Sequence, residues 1–104
     1  MKKEVFIRLF KIEDSLVVNI QLINNDLIIK IETDVVSFAM GNNIRENDFH
    51  SVENSYIFKS ISNISSNNLM KISTIFNSCL IDDLICLDTN LGKFYFDCRE
   101  VIVK

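Results

Sequence analysis

The chain has 104 residues, enough for a single domain spanning residues 1–104 with a core of modest size. Hydrophobic residues make up 48% and charged residues 24%, a balance that argues against intrinsic disorder. Fourteen acids against eleven bases leave a net charge of −3, which gives no basic footprint for nucleic acid and suits a basic protein partner.

The first third reads as three strands. "EVFIRLF" and "LVVNIQLI" alternate, and "LIIKIE" follows the turn signal "NND". With a first turn at Glu13-Asp14, Val5, Ile7 and Leu9 face Leu22, Ile20 and Val18. With a second at Asn24-Asn25, the same three face Leu27, Ile29 and Ile31. Two independent turns then collect nine aliphatic side chains on one face, because a one-residue slip would throw a whole strand's set to the other side. Lys2-Lys3 is followed by Glu4, Arg8 and Lys11, so no unbroken apolar stretch for a signal peptide is expected. No run approaches the ~20 apolar residues of a membrane helix, and the expected location is cytoplasmic.

After the third strand, Thr33 or Asp34 can cap a short helix that Gly41 ends, over residues 34–41. The stretch from Ala39 to Tyr56 has no hydrophobic rhythm, and it contains the only histidine, His50. "SYIFKSIS" (55–62) predicts a fourth strand with Tyr56 and Phe58 on one side and Ile57 and Ile61 on the other; a helical turn is the alternative. "SSNNLMKISTIFNSCLI" predicts the main helix, capped by Ser65 or Ser66. Its stripe of Leu69, Ile72, Ile75, Phe76, Cys79 and Leu80 should pack on the aliphatic face. The end predicts a hairpin, "DLICLDT" and "KFYFDCREVIV" around a three-residue turn at Gly92. In that register Cys86 lies opposite Phe96 and Leu84 opposite Cys98, so no disulfide is expected. The expected class is α+β: an antiparallel sheet of five to six strands, one main helix on one face, and the short second helix.

Chemistry-bearing residues are sparse. His50 has Asp48, Ser51 and Glu53 near it in sequence, but a triad is defined by geometry, and no G-x-S-x-G elbow is present. A magnesium site would draw on "KIETD", where Lys30 and Glu32 share a strand face without a further placed acid. The two glycines, Gly41 and Gly92, are too far apart for a phosphate loop. Cys79, Cys86 and Cys98 form no CxxC pair and sit in apolar surroundings, as buried small hydrophobes do in a reducing compartment. No enzyme activity, cofactor or metal is expected. Charge position says more. Residues 72–92 hold three acids and no base, and residues 26–53 hold six acids and two bases. An acidic rim with aromatic anchors would be a recognition surface.

Small size, acidity, sixteen isoleucines, twelve asparagines, no proline and an α+β order together resemble the immunity proteins of contact-dependent growth inhibition systems. The resemblance spans the whole chain in size and composition and rests on no signature motif. It implies a one-to-one complex with the C-terminal toxin domain of a large secreted adhesin, often a nuclease. The immunity protein would cover the toxin's basic cleft, with carboxylates standing in for phosphates. The residues expected to contact that partner are Glu46, Asp48, Phe49, His50, Glu53, Asp82, Asp83 and Asp88; nucleic acid and membrane are not expected partners. Two other classes stay open: a small enzyme or enzyme subunit, and a homo-oligomeric module that pairs sheet edges.

Overall fold

The computed structural model describes residues 1–10, 12–34 and 51–104, with the backbone alone at residues 33, 34, 51 and 52. In chain order the elements are α1 (Lys3–Leu9), β1 (Ser15–Ile23), β2 (Asp26–Asp34) and β3 (Ser51–Lys59). A 3-10 turn (Asn67–Lys71) leads to β4 (Thr74–Ile81), β5 (Leu84–Thr89), β6 (Gly92–Phe96) and β7 (Glu100–Val103). All seven strands pair antiparallel in the order β6-β5-β4-β1-β2-β3-β7. The class is therefore α+β with strand predominating, and the sheet has seven strands rather than the five to six expected. No helix among the described residues is long and apolar enough to cross a membrane.

The strand expected over 4–10 is helical. Alternation would have buried Val5, Ile7 and Leu9, yet Leu9 is 61% exposed. The buried set is Lys3 and Phe6, with Ile7 and Phe10 packed beside them, which is a three- and four-residue spacing. Phe6 decides the matter. It stacks on Phe10 (6.0 Å between ring centres) and meets Tyr56 and Phe58 edge-on at 5.2 and 5.5 Å. Phe58 meets Phe96 in the same way at 5.1 Å. Edge-to-face rings add about 0.5–1.5 kcal/mol each beyond their buried area, more than a seven-residue helix gains on its own.

The register across the Asn24-Asn25 turn holds: Leu22 opposes Leu27 and Ile20 opposes Ile29. Both turn residues have positive φ (50° and 65°), as a two-residue hairpin turn requires. Farther along, a bulge between Val17 and Asn19 gives Ile31 to Val17 instead of Val18, and Val18 is left exposed. Tyr56 and Phe58 share the buried side of β3, with Ile57 on the other, as expected.

The main helix expected over 65–81 is absent. Ser66 does cap Asn68, but the turn it starts is 3-10 and ends at Lys71. Three residues per 3-10 turn explain the spacing of Leu69 and Ile72. A bulge between Ile75 and Asn77 then puts Ile75 and Ser78, three apart, on the buried side of strand β4. Two irregularities thus mimic a helical period. The core lies between the curled sheet, α1 and the 3-10 turn, and includes Leu27, Ile29, Ile31, Phe58, Ile75 and Phe96.

The last hairpin is one residue out from expectation. Its loop has two residues, Asn90 and Leu91, so Thr89 opposes Gly92 and Cys86 opposes Tyr95, not Phe96. Gly92 takes φ 105°, as a glycine there allows. "KFYFDCREVIV" is also two strands: β6 pairs with β5 and β7 with β3. These lie at opposite ends of the strand order, yet only residues 97–99 separate them. Seven flat strands would put the edges roughly 29 Å apart, and four chain steps reach at most about 14 Å. The sheet must therefore curl until its edges meet. The seam is stitched by a bridge between Ser62 and Asp97 and by Arg99 N–H donating to Lys59 C=O at 2.8 Å.

Candidate functional site

Of the eight expected contact residues, Glu46, Asp48, Phe49 and His50 lie outside the described residues, as does the helix expected over 34–41 apart from Asp34, which ends β2. The other four do not converge. Glu53 sits on β3 opposite Glu32 and accepts from Lys30 Nζ at 2.9 Å. Asp82 and Asp83 form the two-residue turn between β4 and β5, both with positive φ. Asp88 lies five residues along β5, roughly 16 Å away at strand rise, where it opposes Asn77 and Lys93. Glu53 is four strands from Asp88 along the paired order and three across the β6–β7 seam, about 14 Å by the shorter way. Among the described residues there is one acidic pair at the β2–β3 end, one acidic turn, and no continuous rim.

Asp83 is further engaged by Lys3. The Lys3 side chain is 10% exposed; its ammonium donates to the Asp83 carbonyl and to Asp97 Oδ1 (2.6 Å), with the Asp83 carboxylate at 3.6 Å. Asp97 also accepts from the Cys98 N–H at 2.8 Å. The hydrogen bond to Lys3 holds the Asp97 carboxyl below its ordinary range, and the same bond raises Lys3 above its own. This lysine ties α1 to the β4–β5 turn and to the β6–β7 seam, so its role is to hold the closed sheet. A second lysine pins another corner: Lys59 Nζ donates to Asp26 at 2.6 Å, joining the start of β2 to the end of β3.

The cleft lined by Leu22, Leu27, Ile61, Ile64, Leu69 and Met70 has room for no more than a water and is apolar. No group of three or more metal-ligating side chains occurs among the described residues.

The feature that the sequence reading missed is the edge of β1. β1 pairs with β4 only at Ser15 and Leu16, and one further bond runs from Val17 N–H to Ser73 C=O (2.9 Å). Beyond Val17, among the described residues, it pairs with β2 alone. Ile23 and Asp26 close the two-residue turn, so Ile23, Gln21 and Asn19 spend their backbone groups on β2. By the same alternation Ile20 and Leu22 turn theirs to the open side. Leu16, Val18, Leu22 and Ile23 are 57%, 47%, 48% and 49% exposed. No charged residue occurs from Ser15 to Asn25. Edges of soluble proteins are usually guarded by lysine, proline or an inward charge, and this one has only the bulge at Val18. One signal was available: an uncharged strand with two adjacent valines is apolar on both faces, which suits a covered strand.

No family model, curated protein or solved structure matches the chain.

Proposed function

We propose that the protein is a small non-catalytic inhibitor of the immunity type, which neutralises a toxin domain by covering it. The observation that carries this reading is the uncharged edge of β1, which is open among the described residues and carries exposed aliphatic side chains. Such an edge binds an extended segment by adding it as a strand: backbone bonds supply affinity, and the side chains on either face supply specificity. The net charge of −3 favours a basic partner. Glu32 on β2 and Glu53 on β3 lie toward the other end of β1, across from Leu16 where β4 pairs with it, so they would meet a partner beyond the added strand and not along it. Glu46, Asp48, Phe49 and His50 belong to the segment that joins those two strands, and they remain proposed contacts with Glu53. Asp82, Asp83 and Asp88 lie elsewhere on the sheet and are secondary.

The test is growth protection against any toxin domain encoded in a neighbouring reading frame, paired with pull-down from the native strain. Leu22→Lys and Val18→Lys add charge to exposed positions and should abolish protection with the fold intact by circular dichroism. Charge reversal at Asp48 and Glu53 should weaken protection less. Full protection by the Leu22→Lys protein would overturn the proposal.

A second reading rests on the symmetry of β1. Two copies paired antiparallel about Ile20 would set Val18 against Leu22 and Asn19 against Gln21, with no like charges in register. A concentration-dependent dimer that Leu22→Lys dissolves would favour this homo-oligomeric module. A monomer at every concentration would remove it.

A further inference from the structure

The sheet sorts the three cysteines into a pair and a bystander. β4 and β5 place Cys79 directly opposite Cys86, and β5 and β6 place Cys86 opposite Tyr95. The row Cys79–Cys86–Tyr95 thus crosses three adjacent strands on one face. That face is the one turned away from the core: Ile85 and Leu87, on either side of Cys86, belong to the core cluster, and Cys86 does not. Cys86 is nonetheless buried, with its thiol against that of Cys79 and beside the Tyr95 hydroxyl, and Cys79 is half-buried. Burial first, then the neighbouring Cys79, pushes the Cys86 thiol up. Cys98 is different. It sits in the core cluster, and burial pushes its thiol up to about 11.

The geometry points to Cys79 and Cys86 as a reversible dithiol–disulfide site that takes a hydroperoxide as oxidant. Directly opposed residues in an antiparallel pair have Cα atoms about 4.5–5.5 Å apart, inside the roughly 4.4–6.8 Å that a disulfide spans. Ile81 and Leu84 close the Asp82-Asp83 turn as a hydrogen-bonded pair, and two steps back Cys79 and Cys86 form another. Such pairs sit at the wide end of that range. Their Cβ atoms, about 4.5–5.5 Å apart, must draw in by roughly 1 Å to reach disulfide spacing. The strands pinch as the bond closes, and that strain makes it easily reduced. A strained link between strands already paired opens again easily, which suits a regulatory role.

Cys79, the more accessible thiol, reacts first. Its sulfur attacks a peroxide oxygen, the O–O bond breaks, and Cys79 sulfenic acid and water form. The Cys86 sulfur then attacks the Cys79 sulfur and expels a second water. Two thiols and one hydrogen peroxide give one disulfide and two waters. The sulfurs lose two electrons and the peroxide gains them. A thiol reductant returns both protons and both electrons.

The test is hydrogen peroxide treatment of the folded protein, followed by alkylation and peptide mass spectrometry. The expected result is the loss of two alkylatable thiols and of two hydrogens in mass, with one peptide link between Cys79 and Cys86, fully reversed by dithiothreitol. Cys98→Ser should behave as the parent. Cys79→Ser, at the half-buried position, should form no intramolecular link and leave Cys86 slow to react. Three intact thiols after treatment, or a link through Cys98, would overturn the proposal. Circular dichroism before and after oxidation shows that the reaction occurred in the folded chain, and the Cys98→Ser protein supplies a second readout should Cys79→Ser fold poorly.

Discussion

The β1–β2 and β4–β5 hairpins are built alike. Each turns through two residues of positive φ, Asn24-Asn25 in one and Asp82-Asp83 in the other. Each carries an apolar strand, "SLVVNIQLI" or "LICLDT". Their fates differ. β5 lies between β4 and β6, and Ile85, Cys86 and Leu87 are buried one after another. β1 meets β4 for two residues only, and four of its side chains are among the most exposed aliphatics of the described residues. Burial of a strand here is decided by which neighbours flank it, a non-local property that its own hydrophobicity does not specify.

The contrast can be broken experimentally, and the largest effects belong to the covered side. Phe58→Ala or Phe96→Ala removes a ring from the edge-to-face cluster and should cost about 3–5 kcal/mol in denaturant unfolding. Leu87→Ala on β5 should cost about 2–5 kcal/mol, whereas Leu22→Ala on β1, a half-exposed position, should cost only about 1 kcal/mol. Equal costs at Leu87 and Leu22 would mean that β1 is covered in solution, as a dimer would require.

A middle-sized effect belongs to the seam. Asp97→Asn should cost about 1.5 kcal/mol, the low end for a charged hydrogen bond because this carboxylate is 36% exposed. Its pH dependence has two limbs. The Asp97 pKa is lowered on folding, so its contribution is present above the unfolded value of about 3.9 and is lost as pH falls through the folded one. The Lys3 pKa is raised, so its contribution is present below about 10.4 and is lost as pH rises through the folded value. Melting temperature against pH should show both shoulders in the parent, and both should shrink in Asp97→Asn, with the acid limb of the Asp26–Lys59 pair left in place. The smallest effect is at a turn: Asn25→Gly, at φ 65°, should stabilise by about 0.5 kcal/mol, since Asn-Gly is the preferred pair for this geometry.

Short-range pattern carried part of this fold. Leu22 with Leu27 and Ile20 with Ile29 followed from alternation and an Asn-Asn turn. So did the inward pair Tyr56 and Phe58. What could not be read locally was produced by distant contacts. Phe6 turns "EVFIRLF" into a helix because its ring has Tyr56 and Phe58 to meet, some fifty residues away. Thr74–Ile81 becomes a strand because β5 pairs with it, and its bulge disguises the alternation. Lys3, one of two adjacent lysines with nothing in the sequence to set it apart from Lys2, is a nearly buried tie. Of the expected contact surface, charge counting along the chain could not show that Asp88 and Glu53 would fall at least three strands apart, or that Asp83 would be held by Lys3.

Because only Asp97, Cys98 and Arg99 carry the chain from one border of the sheet to the other, β3 finds its outer neighbour in residues made some forty positions later. A nascent chain released from the ribosome at β5 would hold a half-wound wall with two raw margins. Folding should therefore be all-or-none and slow, in the millisecond-to-second range of sheets built on remote pairings, and the interval before the wall joins is when this protein most needs shelter from its own kind.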